Sequence, residues 1–159
     1  MDLYRIPRRE IPVQILLDDA RTMDGTFFTH GNGVGGRPQD VLERLNETDD
    51  DFVPLECGRD SFLLNKAGII WVQVRDGPAR EIEGDADAAR HVPVRLTLAG
   101  GLSLMGTLAI VMPPERSRVL DYLNAAGRFF PLFGAGTVTL VHRRFVVTVR
   151  NGEGAERDL

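Results

Sequence analysis

The chain has 159 residues, 43% of them apolar and 26% charged; that is enough to bury one sizeable core or two small ones, and it excludes disorder as a description of the whole. Nineteen basic against twenty-three acidic side chains leave a net charge of −4, so no global field attracts a polyanion and any nucleic-acid surface has to be local. The single cysteine, Cys57, excludes an intrachain disulfide scaffold and predicts a reducing, cytoplasmic setting, and the charged, proline-containing start from Met1 to Glu10 lacks a signal-peptide pattern.

In chain order, the alternation of Val13, Ile15 and Leu17 predicts a first strand over 13–17, the turn Asp18-Asp19-Ala20 follows, and a second strand runs over 22–29. Gly25 inside that strand suits a sharp bend or bulge. Gly31, Gly33 and Gly36 have G-x-G-x-x-G spacing, but a phosphate cradle needs a parallel strand-helix-strand unit, and here the neighbours form an antiparallel hairpin. The segment therefore reads as a glycine loop.

A short helix follows, with Pro38 in its first turn, Val41, Leu42 and Leu45 on one face, and Asn46 at its end. Phe52-Val-Pro-Leu begins a third strand, and Phe62 to Leu64 pairs with Ile69 to Val74 around a turn at Lys66-Ala67-Gly68. The acidic, glycine-containing stretch from Asp76 to Asp87 has no apolar period and reads as a linker.

The run from Leu96 to Pro114 contains nineteen consecutive uncharged residues, the length of a membrane span. Its period of two, broken by Gly100-Gly101, is instead a hairpin pattern, and no membrane partner is expected.

The chain repeats itself. Val13-Gln-Ile-Leu-Leu and Met23-Asp-Gly-Thr-Phe recur as Val94-Arg-Leu-Thr-Leu and Leu104-Met-Gly-Thr-Leu, which superimposes Gly25 on Gly106. Val41-Leu-Glu-Arg-Leu-Asn recurs as Val119-Leu-Asp-Tyr-Leu-Asn, Phe52-Val-Pro-Leu as Phe129-Phe-Pro-Leu, and the block from Leu63 to Val72 as that from Leu140 to Val149. The offset falls from 81 to 78 to 77 while the order of elements is kept. Pro114 is expected near the first turn of the second helix, as Pro38 is in the first.

The paired apolar strands, with Arg21, Met23, Gly25 and Phe27 in one copy and Gly101, Leu104, Gly106 and Leu108 in the other, resemble the first signature of the Sm-like proteins. Leu63-Leu-Asn-Lys-Ala-Gly-Ile-Ile-Trp-Val resembles their second. The resemblance implies a mainly β protein made of two tandem five-stranded SH3-like or Sm-like barrels, each with a short helix inserted between strands two and three. The units are 1–76 and 93–151, joined by an acidic linker at 77–92 and followed by a disordered tail at 152–159. The family's base-reading Asp and Asn after strand two are replaced by loop and helix in both copies, and its Arg-Gly is Asn65-Lys66 in one and His142-Arg143 in the other. Family-style RNA contacts would therefore fall on Asn65, Lys66, His142, Arg143 and Arg144.

Between Glu115 and Arg150, six arginines are opposed only by Glu115 and Asp121, with Tyr122, Phe129, Phe130 and Phe133 interleaved. Such a pattern can hold single-stranded nucleic acid, or it can be arginines facing outward from strands whose aromatics face inward. Because residues 1–80 sum to −4, Arg116, Arg118 and Arg128 also suit docking on an acidic surface, with Trp71 as a further contact residue.

His30, His91 and His142 stand apart without ligand spacing and read as surface or turn residues, so no metal is expected. Asp49-Asp-Asp reads as a solvated turn and Cys57 as a small buried apolar residue. No catalytic constellation and no cofactor site is visible. The expected function is a non-catalytic binding or assembly module. Open barrel edges would pair with further copies, as a ring or dimer, or with a protein partner; single-stranded RNA binding is the alternative.

Overall fold

A computed structural model describes residues 8–30, 38–75, 89–152 and 159. The expected linker, the glycine loop and the tail lie mostly outside these residues. The first unit contributes β1 (Arg8–Leu17), β2 (Thr22–His30), α1 (Pro38–Asn46), β3 (Phe52–Cys57), β4 (Asp60–Asn65) and β5 (Ile69–Arg75). The second contributes β6 (Arg90–Leu98), β7 (Ser103–Ile110), α2 (Val119–Ala125), β8 (Phe129–Phe133), β9 (Thr137–His142) and β10 (Val146–Asn151). Strand β6 begins at Arg90, so the expected linker is shorter than 77–92 at its C-terminal end. Pro114 opens a separate 3-10 turn, Pro114–Arg116, ahead of α2 and not the helix itself.

The ten strands of the described residues form one antiparallel sheet in the order β10-β6-β7-β8-β9-β5-β1-β2-β3-β4. The fold is mainly β, as expected, and each unit contributes five strands in the same relative order, fifth-first-second-third-fourth. Two closed sheets are not what the ladder consists of: it is continuous, with β4 and β10 as its two ends. The units join where β5 pairs with β9, through Trp71 with Val141, Val72 with Leu140 and Gln73 with Thr139.

The two glycines of the repeat explain how the sheet turns on itself. β2 meets β3 at only Thr26 and Phe27, and β7 meets β8 at only Thr107, each beside its glycine. A Cβ on Gly25 would lie 2.6 Å from the Glu56 carbonyl oxygen, and one on Gly106 2.6 Å from Leu132 Cγ and 2.8 Å from the Phe133 carbonyl oxygen. Only a residue without a side chain lets the strands cross that closely.

Alternation then sorts the side chains into two cores. Ile11, Val13, Ile15, Phe27, Val41, Leu45, Val53, Leu55, Val72 and Val74 fill the first, and Val92, Val94, Leu96, Leu98, Leu108, Ile110, Val119 and Leu132 fill the second. The seam mixes them. Phe129, Val138 and Leu140 of the second unit pack in the first core, while Leu16 and Ile70 of the first pack in the second.

Candidate interaction edges and basic loops

The segment the resemblance marks for RNA is a 3-10 turn in each unit, Lys66–Gly68 and Arg143–Phe145. Asn65 caps the first, its side-chain oxygen accepting from the Ala67 N–H at 3.0 Å, and His142 caps the second, its Nδ1 accepting from the Arg144 N–H at 3.1 Å. The two residues do the same job, which explains why a short polar acceptor recurs there.

Lys66 is a correction to the sequence reading. Its side chain is buried, and Nζ donates to the Glu47 carbonyl at 2.9 Å, the Asp50 carbonyl at 3.0 Å and the Asp50 carboxylate at 2.8 Å. It therefore closes the C-terminal end of α1, where orphan carbonyls and the helix dipole favour a cation, and it offers no ammonium to a phosphate. Arg143 does the corresponding work on α2, donating to the Leu123 carbonyl at 3.3 Å and the Ala126 carbonyl at 2.8 Å. Of the three predicted cations, Arg143 and Arg144 are both exposed, and the Arg144 guanidinium lies 5.9 Å from the centre of the Phe145 ring.

His142 stands at a turn, one of the two placements expected of it, but it is buried there. Its ring lies edge-on between Phe129 and Phe145, at 4.6 and 5.4 Å between centroids. Burial, together with the positive charges of Arg144, Arg128 and Arg143, lowers its pKa to about 4, so it is a neutral acceptor at physiological pH. Asp49, Asp50 and Asp51 are exposed, as expected of a solvated turn, and Asp50 is in addition a charge hub. Arg44 grips both its carboxylate oxygens at 2.9 and 2.8 Å and Lys66 adds a third bond, holding the acid well below the usual carboxylate range.

Tyr122 and Cys57 are no better suited to chemistry. Tyr122 is pushed up to about 12 by burial, and Cys57 is raised by burial and by the nearby charges of Asp24 and Asp60, which is the reverse of an activated thiolate. Among the predicted partner residues, Trp71 is half-buried at the seam, Arg118 pairs with Asp121 at 3.0 Å, Arg116 is exposed and Arg128 is half-buried. Among the described residues no cluster of three or more metal-ligating side chains is present, and no helix is long and apolar enough to cross a membrane.

What the structure adds is the state of the two open edges. The duplication supplies an internal control, since the same position is covered at the seam and bare at an edge. Leu63 on β4 is 73% exposed and its counterpart Leu140 0%; Phe52 is 52% exposed and its counterpart Phe129 1%; Val147 on β10 is 64% exposed and its counterpart Ile70 6%. Leu120 on α2 is exposed, whereas its counterpart Leu42 packs against the first core. Four large apolar side chains thus stand in solvent at positions where their copies are covered. Of the four, Leu63 and Val147 lie on the end strands β4 and β10, and Met105 on the interior strand β7 is exposed as well. No protein-family model, no curated protein and no solved structure matches this chain.

Proposed function

We propose that the chain is a non-catalytic assembly module: two fused small β-barrels of the Sm-like or SH3-like kind that bind, through their open edge strands, further copies of the chain or a protein partner. The observation that carries this reading is the seam. β5 and β9 are each an edge of their own five-strand run, and they are joined within the chain by an ordinary antiparallel ladder. Edge-to-edge addition is therefore already the way this fold satisfies its margins, and β4 and β10 are the two margins left over. The barrel form is supported by the shared strand order and by the close crossings at Gly25 and Gly106. A closed ring of several chains is the simplest symmetric use of the remaining edges.

Light scattering and native mass spectrometry at micromolar concentration test the reading. Discrete multimers or a stoichiometric complex are expected, and a strict monomer would overturn the self-assembling form.

One observation favours the alternative, single-stranded RNA binding by the second unit: the exposed Arg144 beside the Phe145 ring is a cation next to a stacking surface. Binding to a short RNA at two salt concentrations tests it. Affinity that hardly changes with salt would exclude phosphate contacts.

A further inference from the structure

We infer that the first unit binds a linear polyamine in the cleft between β2 and α1. The inference goes beyond the assembly reading and does not depend on it.

The cleft has a volume of about 280 Å³ and, among the described residues, is lined by Thr29, Asp40, Glu43, Arg44, Glu47 and Asp50. Its floor is Thr29. Alternate residues of a strand point the same way, so Thr29 shares the inward face of β2 with Phe27, which packs with Val41 and Leu45 of α1, and its side chain is aimed at α1 and into the cleft. Thr29 is 2% exposed, and its hydroxyl is buried with no hydrogen-bond partner among the described residues. A hydroxyl in that state carries its desolvation cost uncompensated.

The fold does not require this. At the offset of 81 the duplicate of Thr29 is Ile110, which packs in the second core. The walls differ in the same sense. Asp40, Glu43 and Glu47 follow one another at i, i+3 and i+7 along α1, and the Glu47 N–H still bonds to the Glu43 carbonyl at 3.1 Å, so the helical spacing is kept. The corresponding residues of the second unit are Arg118, Asp121 and Ala125, with Asp121 already held by Arg118 at 3.0 Å. Arg44 corresponds to Tyr122, which packs against the second core. One copy of the motif thus fills this place with apolar groups and a self-neutralised pair, and the other presents a buried hydroxyl beneath a row of acids.

Charge and spacing decide the ligand class. Arg44 is committed to Asp50 at 2.9 and 2.8 Å and to Glu47 at 3.2 Å, and Lys66 adds its own bond to Asp50 at 2.8 Å. Glu43 accepts only from the neutral Gln39 amide at 3.0 Å. The four carboxylates therefore outnumber the cations that meet them, and a ligand made of positive donors fits. Among the described residues no group of three metal-ligating side chains is placed to hold one ion. Carboxylates spaced about one helical turn apart, roughly 5 Å along the axis, instead match ammonium groups carried at intervals of three or four methylenes on one chain. The Thr29 hydroxyl gives the buried end of that chain an acceptor.

Isothermal titration calorimetry of the full chain with spermidine, and separately with magnesium chloride at matched ionic strength, tests the site. Spermidine is expected to bind at one per chain and more tightly than magnesium. Glu43→Gln and Thr29→Val are each expected to weaken it roughly tenfold, the loss of one charge-assisted hydrogen bond. Thr29→Ser keeps the hydroxyl and is expected to retain most of the affinity, and Glu115→Gln, which removes an acid of the second unit, to leave it unchanged. Without ligand, Thr29→Val is expected to melt at a higher temperature than the unaltered chain, because an unsatisfied polar group is gone. Loss of binding together with a gain in stability marks a residue kept for binding and not for the fold. Glu43 is exposed, so Glu43→Gln decides the matter even if the Thr29 variants fold poorly. Equal weakening by Glu43→Gln and Glu115→Gln, or magnesium binding as tightly as spermidine, would show diffuse attraction to an acidic chain and overturn the site. Undiminished affinity in Thr29→Val would overturn it as well. None of these outcomes bears on the assembly reading, which the oligomeric state tests separately.

Discussion

Asn46, the last residue of α1, holds the backbone of Phe129 at both ends of one residue: its Nδ2 donates to the Phe129 carbonyl at 3.1 Å, and its Oδ1 accepts from the Phe129 N–H at 2.8 Å. The two residues are 83 positions apart and belong to different units. A side-chain amide thus imitates a strand neighbour at the point where β8 enters the seam, and it ties the first unit's helix to the second unit's sheet. Asn46→Ala removes both bonds and leaves a poorly hydrated backbone N–H without a partner, at a cost of about 1–3 kcal/mol. Trp71, the single tryptophan and itself in the seam ladder, reports the loss in a urea titration followed by fluorescence. An unchanged midpoint would mean that the clasp is dispensable.

Lys66 makes a second long-range argument. Asp50→Ala leaves a buried ammonium with two carbonyls and no counter-charge, and is expected to destabilise the chain more than the double variant Asp50→Ala/Lys66→Met, which removes the charge as well. Lys66→Met alone strands the Glu47 and Asp50 carbonyls and should cost about 1–3 kcal/mol. Thermal unfolding of the three variants gives the ranking. A double variant less stable than Asp50→Ala would contradict the account of a buried charge needing its partner.

His142 sets a pH dependence whose sign follows from its depressed pKa. In the unfolded chain it takes up a proton near pH 6.5 and in the folded chain only near 4, so the unfolded state binds more protons between those values. Its contribution to stability is whole above pH 6.5 and is lost as the pH falls towards 4. His142→Asn installs the residue that caps the equivalent turn of the first unit and does not titrate. Chemical denaturation at pH 7, 5.5 and 4.5 should show a shallower loss in the variant than in the unaltered chain.

Gly106 carries a prediction about backbone crossing. A methyl group there meets Leu132 and the Phe133 carbonyl at less than van der Waals distance, and one of the two is backbone, which cannot turn aside. Gly106→Ala is therefore expected to cost about 1–3 kcal/mol, an overpacking penalty that exceeds the usual gain of alanine over glycine in a strand. An increase in the melting temperature would show that the crossing can open without loss.

The local pattern was strong enough to be read along the chain. Strands come from alternation at Val13, Ile15 and Leu17 and at Val94, Leu96 and Leu98, and the short helices from the spacing of Val41 and Leu45 and of Val119 and Leu123. These depend on neighbours within a few residues, and the repeat made each one visible twice. The residues marked as binding groups in the two turns were legible as a motif but not in role. Lys66 and Arg143 look like free cations in a loop, and their use at a helix end is set by carbonyls some twenty residues upstream that only folding brings within reach.

By itself, the sequence determined the order of elements, the glycines at which strands cross, and the fact that one pattern is written twice, because each is carried by local sterics and hydropathy. The tertiary structure alone decided that β5 of one copy pairs with β9 of the other. Every strand of a duplicated sheet has the same local credentials for pairing, and which edges meet is fixed by the packing of Phe129, Leu140, Leu16 and Ile70 across the seam and by the reach of Asn46. The same packing leaves Leu63 and Val147 bare at the two ends, a difference from Leu140 and Ile70 that no local residue pattern encodes.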